Sequence, residues 1–292
     1  MSAFGPLFRH ELTRLARRGL QPRFRTAFAG LLLVALLVTY LQSFPGESAA
    51  GVLTSVGEPL SIEAAANFAE RFLISFLVVQ LLVVCVVTPV VVAGAITEER
   101  DRGTLDFLLS SPLSNAEIVL GKMAARLAFM VGLLLTGLPV LTLTMFFGGV
   151  DGGQLLAGYA ITLATVFSAG TMTLLMVAEG QPLAGVLLRV YLWQIGATVF
   201  GFCCGCLRAP VFVSPFAALL VLFTGWVDSP GTARADAMWL AGIYAGVHLF
   251  FGAWWLVLAV RRVREEPLLA QTVNRMRASA AAPLAYPLPR DD

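Results

Sequence analysis

A chain of 292 residues that is 58% hydrophobic and only 13% charged, with a mean hydropathy of +0.82, is not a soluble globular protein. Soluble domains carry about 25% charged residues. The formal charge of +2 says little by itself and nucleic acid is not an expected partner; the distribution of charge along the chain says much more.

The segment Phe4–Leu20 comes first. Phe4, Phe8, Leu12 and Leu15 recur at helical spacing, with Arg9, His10, Arg14 and Arg17 around the other side. This pattern predicts a basic amphipathic helix within residues 1–25, lying on the inner membrane surface with its apolar face down. Six stretches then meet the length of about 20 apolar residues that a bilayer crossing needs: 26–44, 72–96, 127–147, 155–178, 190–207 and 238–260. The first is longer than a signal-peptide core and follows six arginines, so it is expected to stay as an anchor. Pro89 and Pro139 are expected to kink the second and third spans. Gly201xxxGly205 and Gly242xxxGly246 offer small-residue faces for helix contact.

Basic residues set the orientation. With both termini cytoplasmic, seventeen of the twenty Lys and Arg fall inside, and only Arg71, Arg208 and Arg234 fall outside. A seventh apolar run, Val211–Val227, is short for a crossing and carries Ser214-Pro215 near its start. A seventh crossing would also put Arg261, Arg262 and Arg264 outside, so the run reads as an outer re-entrant or interfacial hairpin that protein must cover. The six-span domain occupies 26–262. Residues 263–292 form a polar, proline-bearing tail, helical as far as Arg277 and disordered beyond it.

Within the spans, Gln80, Thr88, Gln194 and His248 are polar at membrane depth and are candidates for a pathway or for buried packing. For His248 the packing role is the simpler one. Cys203, Cys204 and Cys206 crowd one span end; small-residue packing accounts for them better than a soft-metal site, and no metal is expected. The spans show no charged lining, which points toward an apolar or amphipathic cargo.

The most informative stretch is Ile96–Leu127, a charged island between two apolar runs. Glu98, Glu99, Arg100, Asp101, Arg102, Asp106, Glu117, Lys122 and Arg126 all lie in it. A charge at the bilayer centre costs roughly 3 kcal/mol or more, so the island lies outside the hydrocarbon. Ser114-Asn115-Ala116-Glu117 has capping-box spacing and marks a helix start. Ser111-Pro112 forms the break before it, because the residue preceding proline avoids the helical region. Leu105, Leu108 and Leu109 share one face of the segment between Thr97 and Ser110. Either they pack on the protein's own inner surface, or they dock on a partner.

The order of this island, an acidic-basic cluster, Gly103-Thr104-Leu105, a leucine pair, Ser111-Pro112-Leu113, Glu117-Ile118 and Gly121-Lys122, resembles the cytoplasmic signature of ABC-2 type transporter permeases. Beyond this window only the layout of spans agrees. The resemblance implies an all-α, six-span membrane subunit with an N-terminal connecting helix, a cytoplasmic coupling helix and an outer re-entrant hairpin. It implies that Glu98, Glu99 and Arg100 form ion pairs in the gate region or to an ATPase, and that Gly103 and Thr104 turn the chain into the coupling segment. Leu105, Leu108 and Leu109 would dock in the ATPase, ahead of the Pro112 break. Lys122 matches the family's Gly-Lys, though an interfacial anchor serves as well.

No GxxxxGK[ST] phosphate loop is present, because Gly121-Lys122 is followed by Met123. The resemblance therefore implies no cofactor on this chain, with ATP and Mg on a partner ATPase. It also implies a second permease copy or paralogue, lipid contact, and a place in the cytoplasmic membrane. Two rivals are a non-transporting membrane scaffold and an intramembrane protease. The protease motif would need arginine where Gly103 stands, and phenylalanine where Tyr244 precedes His248.

Overall fold

The computed structural model describes residues 8, 11–14, 20–44, 62–101, 103, 114–145, 151–203, 213–227 and 232–263. Among them the chain is helical and contains no strand. Eight helices follow in order: α1 (Leu20–Ser43), α2 (Ile62–Asp101), α3 (Asn115–Leu135), α4 (Leu138–Met145), α5 (Gly152–Ala178), α6 (Leu183–Cys203), α7 (Pro215–Val227) and α8 (Thr232–Arg262). Six are long and apolar enough to cross a membrane, when α3 and α4 are counted together. The multi-pass all-α architecture expected from hydropathy is therefore present.

Lipid tails are as apolar as leucine, so burying leucine gives no drive for helices to associate in a bilayer; small residues and hydrogen bonds do that work. The hub is α5, rich in Gly, Ala, Ser and Thr. Its span is 72% covered by protein, against 11% for α6 and 17% for the span in α8. Thr162, Thr165 and Thr171 are buried, and each hydroxyl donates to the carbonyl four residues back, at 2.8, 2.8 and 2.9 Å. These hydroxyls therefore enter an apolar interior with their donors satisfied. Against α8, the Thr165 and Tyr244 hydroxyls lie 2.9 Å apart, and the Ser168 hydroxyl is 2.8 Å from His248 Nδ1. Gly252 completes this seam, since a Cβ there would sit 2.6 Å from the Phe167 ring.

The third span is broken upstream of the proline expected to kink it. Thr136 and Gly137 amides bond the Leu133 and Leu134 carbonyls, closing α3 with tight turns, and α4 restarts at Leu138. Pro139 is then a second helical residue, where its missing N–H breaks no bond. Pro89, in contrast, lies inside the continuous α2. The Tyr191 hydroxyl of α6 donates to the Val86 carbonyl at 2.8 Å, next to the carbonyl that this proline leaves without a donor.

Of the two glycine pairs, Gly201 packs on α7, where a Cβ would lie 2.5 Å from Ser214 Cβ. Gly205 lies outside the described residues. Gly242 and Gly246 have no neighbour within 4 Å of an added Cβ, so they seat no helix among the described residues. At 13 residues α7 spans about 20 Å, too short for a crossing. It buries Ala217, Ala218, Leu219, Leu222 and Phe223 against α2, α5, α6 and α8. Of the run expected as a hairpin, Val211 and Phe212 lie outside the described residues, as does the tail beyond 263.

Ser114 caps α3 through a complete capping box. The Glu117 amide donates to the Ser114 hydroxyl at 3.2 Å, and the Glu117 carboxylate accepts from the Ser114 amide at 2.8 Å. Ser114→Ala is expected to cost about 1 kcal/mol, read as a lowered midpoint in equilibrium unfolding in mixed SDS micelles.

Candidate functional site: a sealed charge cluster

Where α2 ends and α3 begins, six charged side chains from three segments converge. Lys122 and Arg126 stand one turn apart on the buried face of α3. Glu98 and Glu99 come from the last turn of α2, and Glu11 and Arg14 from the short helical turn at 11–14. Lys122 Nζ lies 2.6 Å from Glu99 Oε1, 2.9 Å from the Ala95 carbonyl and 3.5 Å from Glu11 Oε1. Arg126 reaches the other Glu11 oxygen at 3.7 Å. Arg14 lies 3.6 Å from each of Glu11, Glu98 and Glu99. Three acids thus face three bases.

Burial makes the cluster more than a set of surface pairs. Lys122 is 0% exposed, Glu11 1% and Arg126 5%. An unpaired ion there would lose its hydration without compensation, so each charge depends on the others. Within the described part of the N-terminal segment, Phe8 and Leu12 pack against the helix bundle and Glu11 points into it. Glu11, the sole acid before Glu47, there meets Lys122 and Arg126.

Arg100 behaves differently from its acidic neighbours. Its described partners are carbonyls, Val177 at 3.1 Å and Gln181 at 3.5 Å. A guanidinium at the end of α5 adds a charged donor to the Val177 carbonyl, which also accepts from the Gly180 amide, and complements the negative helix end. Arg262 of α8 pairs with Glu179 at the same end of α5. One end of the bundle is thus tied by charge across α2, α3, α5, α8 and the N-terminal segment. Gly103 follows with φ +67°, a left-handed turn that glycine adopts without strain, its amide bonded to the Arg100 carbonyl. Thr104, Leu105, Leu108, Leu109 and Pro112 lie outside the described residues.

The polar candidates within the spans separate into two groups. Gln80 is buried and donates to Thr162 at 3.2 Å, joining α2 to α5, while the buried Thr88 hydroxyl has no partner among the described residues. Gln194 and His248 line one cavity together with Cys85. His248 also stacks on Tyr244 at 4.1 Å between ring centres. Cys203 is a free thiol, and Cys204 and Cys206 lie outside the described residues. Sequence reasoning missed Glu11, Arg14 and Arg126 as members of a site. The available signal was a lone acid in a basic segment and two bases four residues apart on α3.

Most of this cluster falls in a stretch with known relatives. The family described as ABC-2 family transporter protein matches residues 24–188, from α1 into α6, which takes in Glu98, Glu99, Lys122 and Arg126. No curated protein matches the chain. A family match over more than half of the sequence, on a bundle with six membrane-crossing helices, means that the chain belongs to the ABC-2 transporter family and is a membrane permease of an ABC transporter.

Proposed function

We propose that this permease forms half of the translocation pathway of an exporter in the cytoplasmic membrane, with both termini inside. A separate ATPase carrying ATP and Mg docks on the 97–113 loop, and a second permease copy or paralogue completes the pathway. The observation that carries this reading is the sealed charge cluster at the base of that loop. Force applied between the end of α2 and the start of α3 acts first on Glu99 and Lys122, 2.6 Å apart.

Both belong to long helices. The 40-residue α2 is about 60 Å long, so a displacement at its charged end is carried through the membrane as a rigid-body tilt. Pairs held in a water-poor interior resist separation more than exposed ones do, which suits them to transmit force. Glu11 and Arg14 extend the same coupling to the N-terminal segment. Exposed apolar faces on α1, α6 and α8 leave room for a second permease chain or for lipid.

The test is affinity purification of the tagged chain from membranes in mild detergent, with mass spectrometry for a soluble ATPase. Wild type is expected to retain one. Leu105→Asp/Leu108→Asp is expected to lower its recovery roughly thirtyfold while the permease stays monodisperse, as loss of a buried docking face predicts. Recovery of no ATPase with either protein refutes the docking role of the loop.

A further inference from the structure

Arg25 is the last charged residue before the uncharged stretch 26–43 of α1, so it stands where lipid headgroups meet the hydrocarbon. The neighbouring helix at this level is α3. Phe24 and Phe129 meet edge to face with 6.0 Å between ring centres, and Leu32 lies against Gly137. That register brings Arg25 beside Gly132, about 15 Å further along α3 than Lys122.

A Cβ at Gly132 would lie 2.6 Å from Arg25 Nη2 and 3.4 Å from Gln21 Nε2. Two donors one turn apart on α1 therefore converge on a point of α3 that has no side chain. Arg25 Nε is buried without an acceptor, and no ion pair or hydrogen bond joins Arg25 to another of the described residues. The acids of the charge cluster, Glu11, Glu98 and Glu99, already face Arg14, Lys122 and Arg126. A guanidinium nitrogen buried without an acceptor is costly, and an anion placed against it removes that cost.

The surroundings say which anion. A planar guanidinium fork matches the oxygens of a phosphate. Val131 and Leu135, on one side of Gly132, are exposed, so the gap opens to lipid and continues as an apolar track. A soluble anion would gain nothing from that track.

We propose that Gln21, Arg25 and the gap at Gly132 form a binding site for the phosphate of an anionic phospholipid, with an acyl chain lying along Val131 and Leu135. The guanidinium and the Gln21 amide donate to phosphate oxygens, and the net charge of the lipid answers that of Arg25. The site rests on α1 and α3 alone and does not depend on an ATPase docking at the loop.

The experiment is native mass spectrometry of the full chain in mild detergent, titrated with phosphatidylglycerol. Arg25→Gln is expected to weaken binding of the first lipid about tenfold. Arg23→Gln, which removes an exposed charge two residues away, is expected to change it by about twofold at most. Gly132→Val keeps the charge but takes the place of the guanidinium, and a loss of about fivefold is expected. That variant reads the site even if Arg25→Gln proves unstable. Phosphatidylcholine with the same acyl chains is expected to bind wild type about fivefold more weakly. Equal losses from Arg23→Gln and Arg25→Gln overturn the proposal and leave a diffuse basic surface. Equal binding of the two lipids overturns it as well. Displacement of phosphatidylglycerol by an equal concentration of glycerol 1-phosphate also overturns it, in favour of a soluble phosphate ligand.

Discussion

Replacing Lys122 with methionine is expected to destabilise the permease by about 3–5 kcal/mol, the cost of removing one partner from a buried ion pair. Methionine keeps the length and apolar stem of the side chain, so the loss reports charge rather than volume. Glu99 loses its 2.6 Å partner, the Ala95 carbonyl loses a donor, and Glu11 keeps only the longer contacts to Arg14 and Arg126. Unfolding in mixed SDS micelles measures the change. Lys122→Met/Glu99→Gln is expected to regain most of the loss, because a neutral pair requires no buried counter-charge. A single variant as stable as wild type would sink the idea that these charges hold the bundle end together.

Gly252→Leu is the second large effect, expected at about 1–3 kcal/mol through overpacking. Even its Cβ would lie 2.6 Å from a Phe167 ring carbon and 3.3 Å from the Thr171 hydroxyl, so the ring would have to shift. Pushing α8 away from α5 also stretches the Tyr244–Thr165 and His248–Ser168 bonds further along the seam. Phe167→Ala in the same chain frees the space, so the double variant is expected to be more stable than Gly252→Leu alone. The same SDS titration checks both, and additive losses would show that Gly252 and Phe167 do not share a contact.

Hydropathy was sufficient to read the six spans, because a bilayer demands a length and a composition that a sequence displays directly. The capping box at Ser114–Glu117 was equally legible, its partners being three residues apart. The charge cluster was not, since Glu11 and Lys122 are 111 residues apart and only the folded bundle makes them neighbours. Glu11 was hidden further by its place between Phe8 and Leu12, which read as one face of a helix resting on lipid. Lys122 was singled out, but sequence left it balanced between a family position and an interfacial anchor. Full burial among carboxylates makes it an internal ion. His248 read as a packing residue, and it does bond Ser168 and stack on Tyr244; that it also lines a cavity with Gln194 follows from helix positions no pattern encodes.

The sealed lysine has a practical consequence. Lys122 is the one lysine beside nineteen arginines, so no other side chain of this protein carries a primary amine. Acylating reagents such as succinimidyl esters therefore meet no accessible side-chain amine while the cluster stays closed. Whenever the N-terminal segment lifts from the bundle, a single amine is uncovered at a known position. Acylation of Lys122 thus serves as a native clock for that opening, without any introduced label.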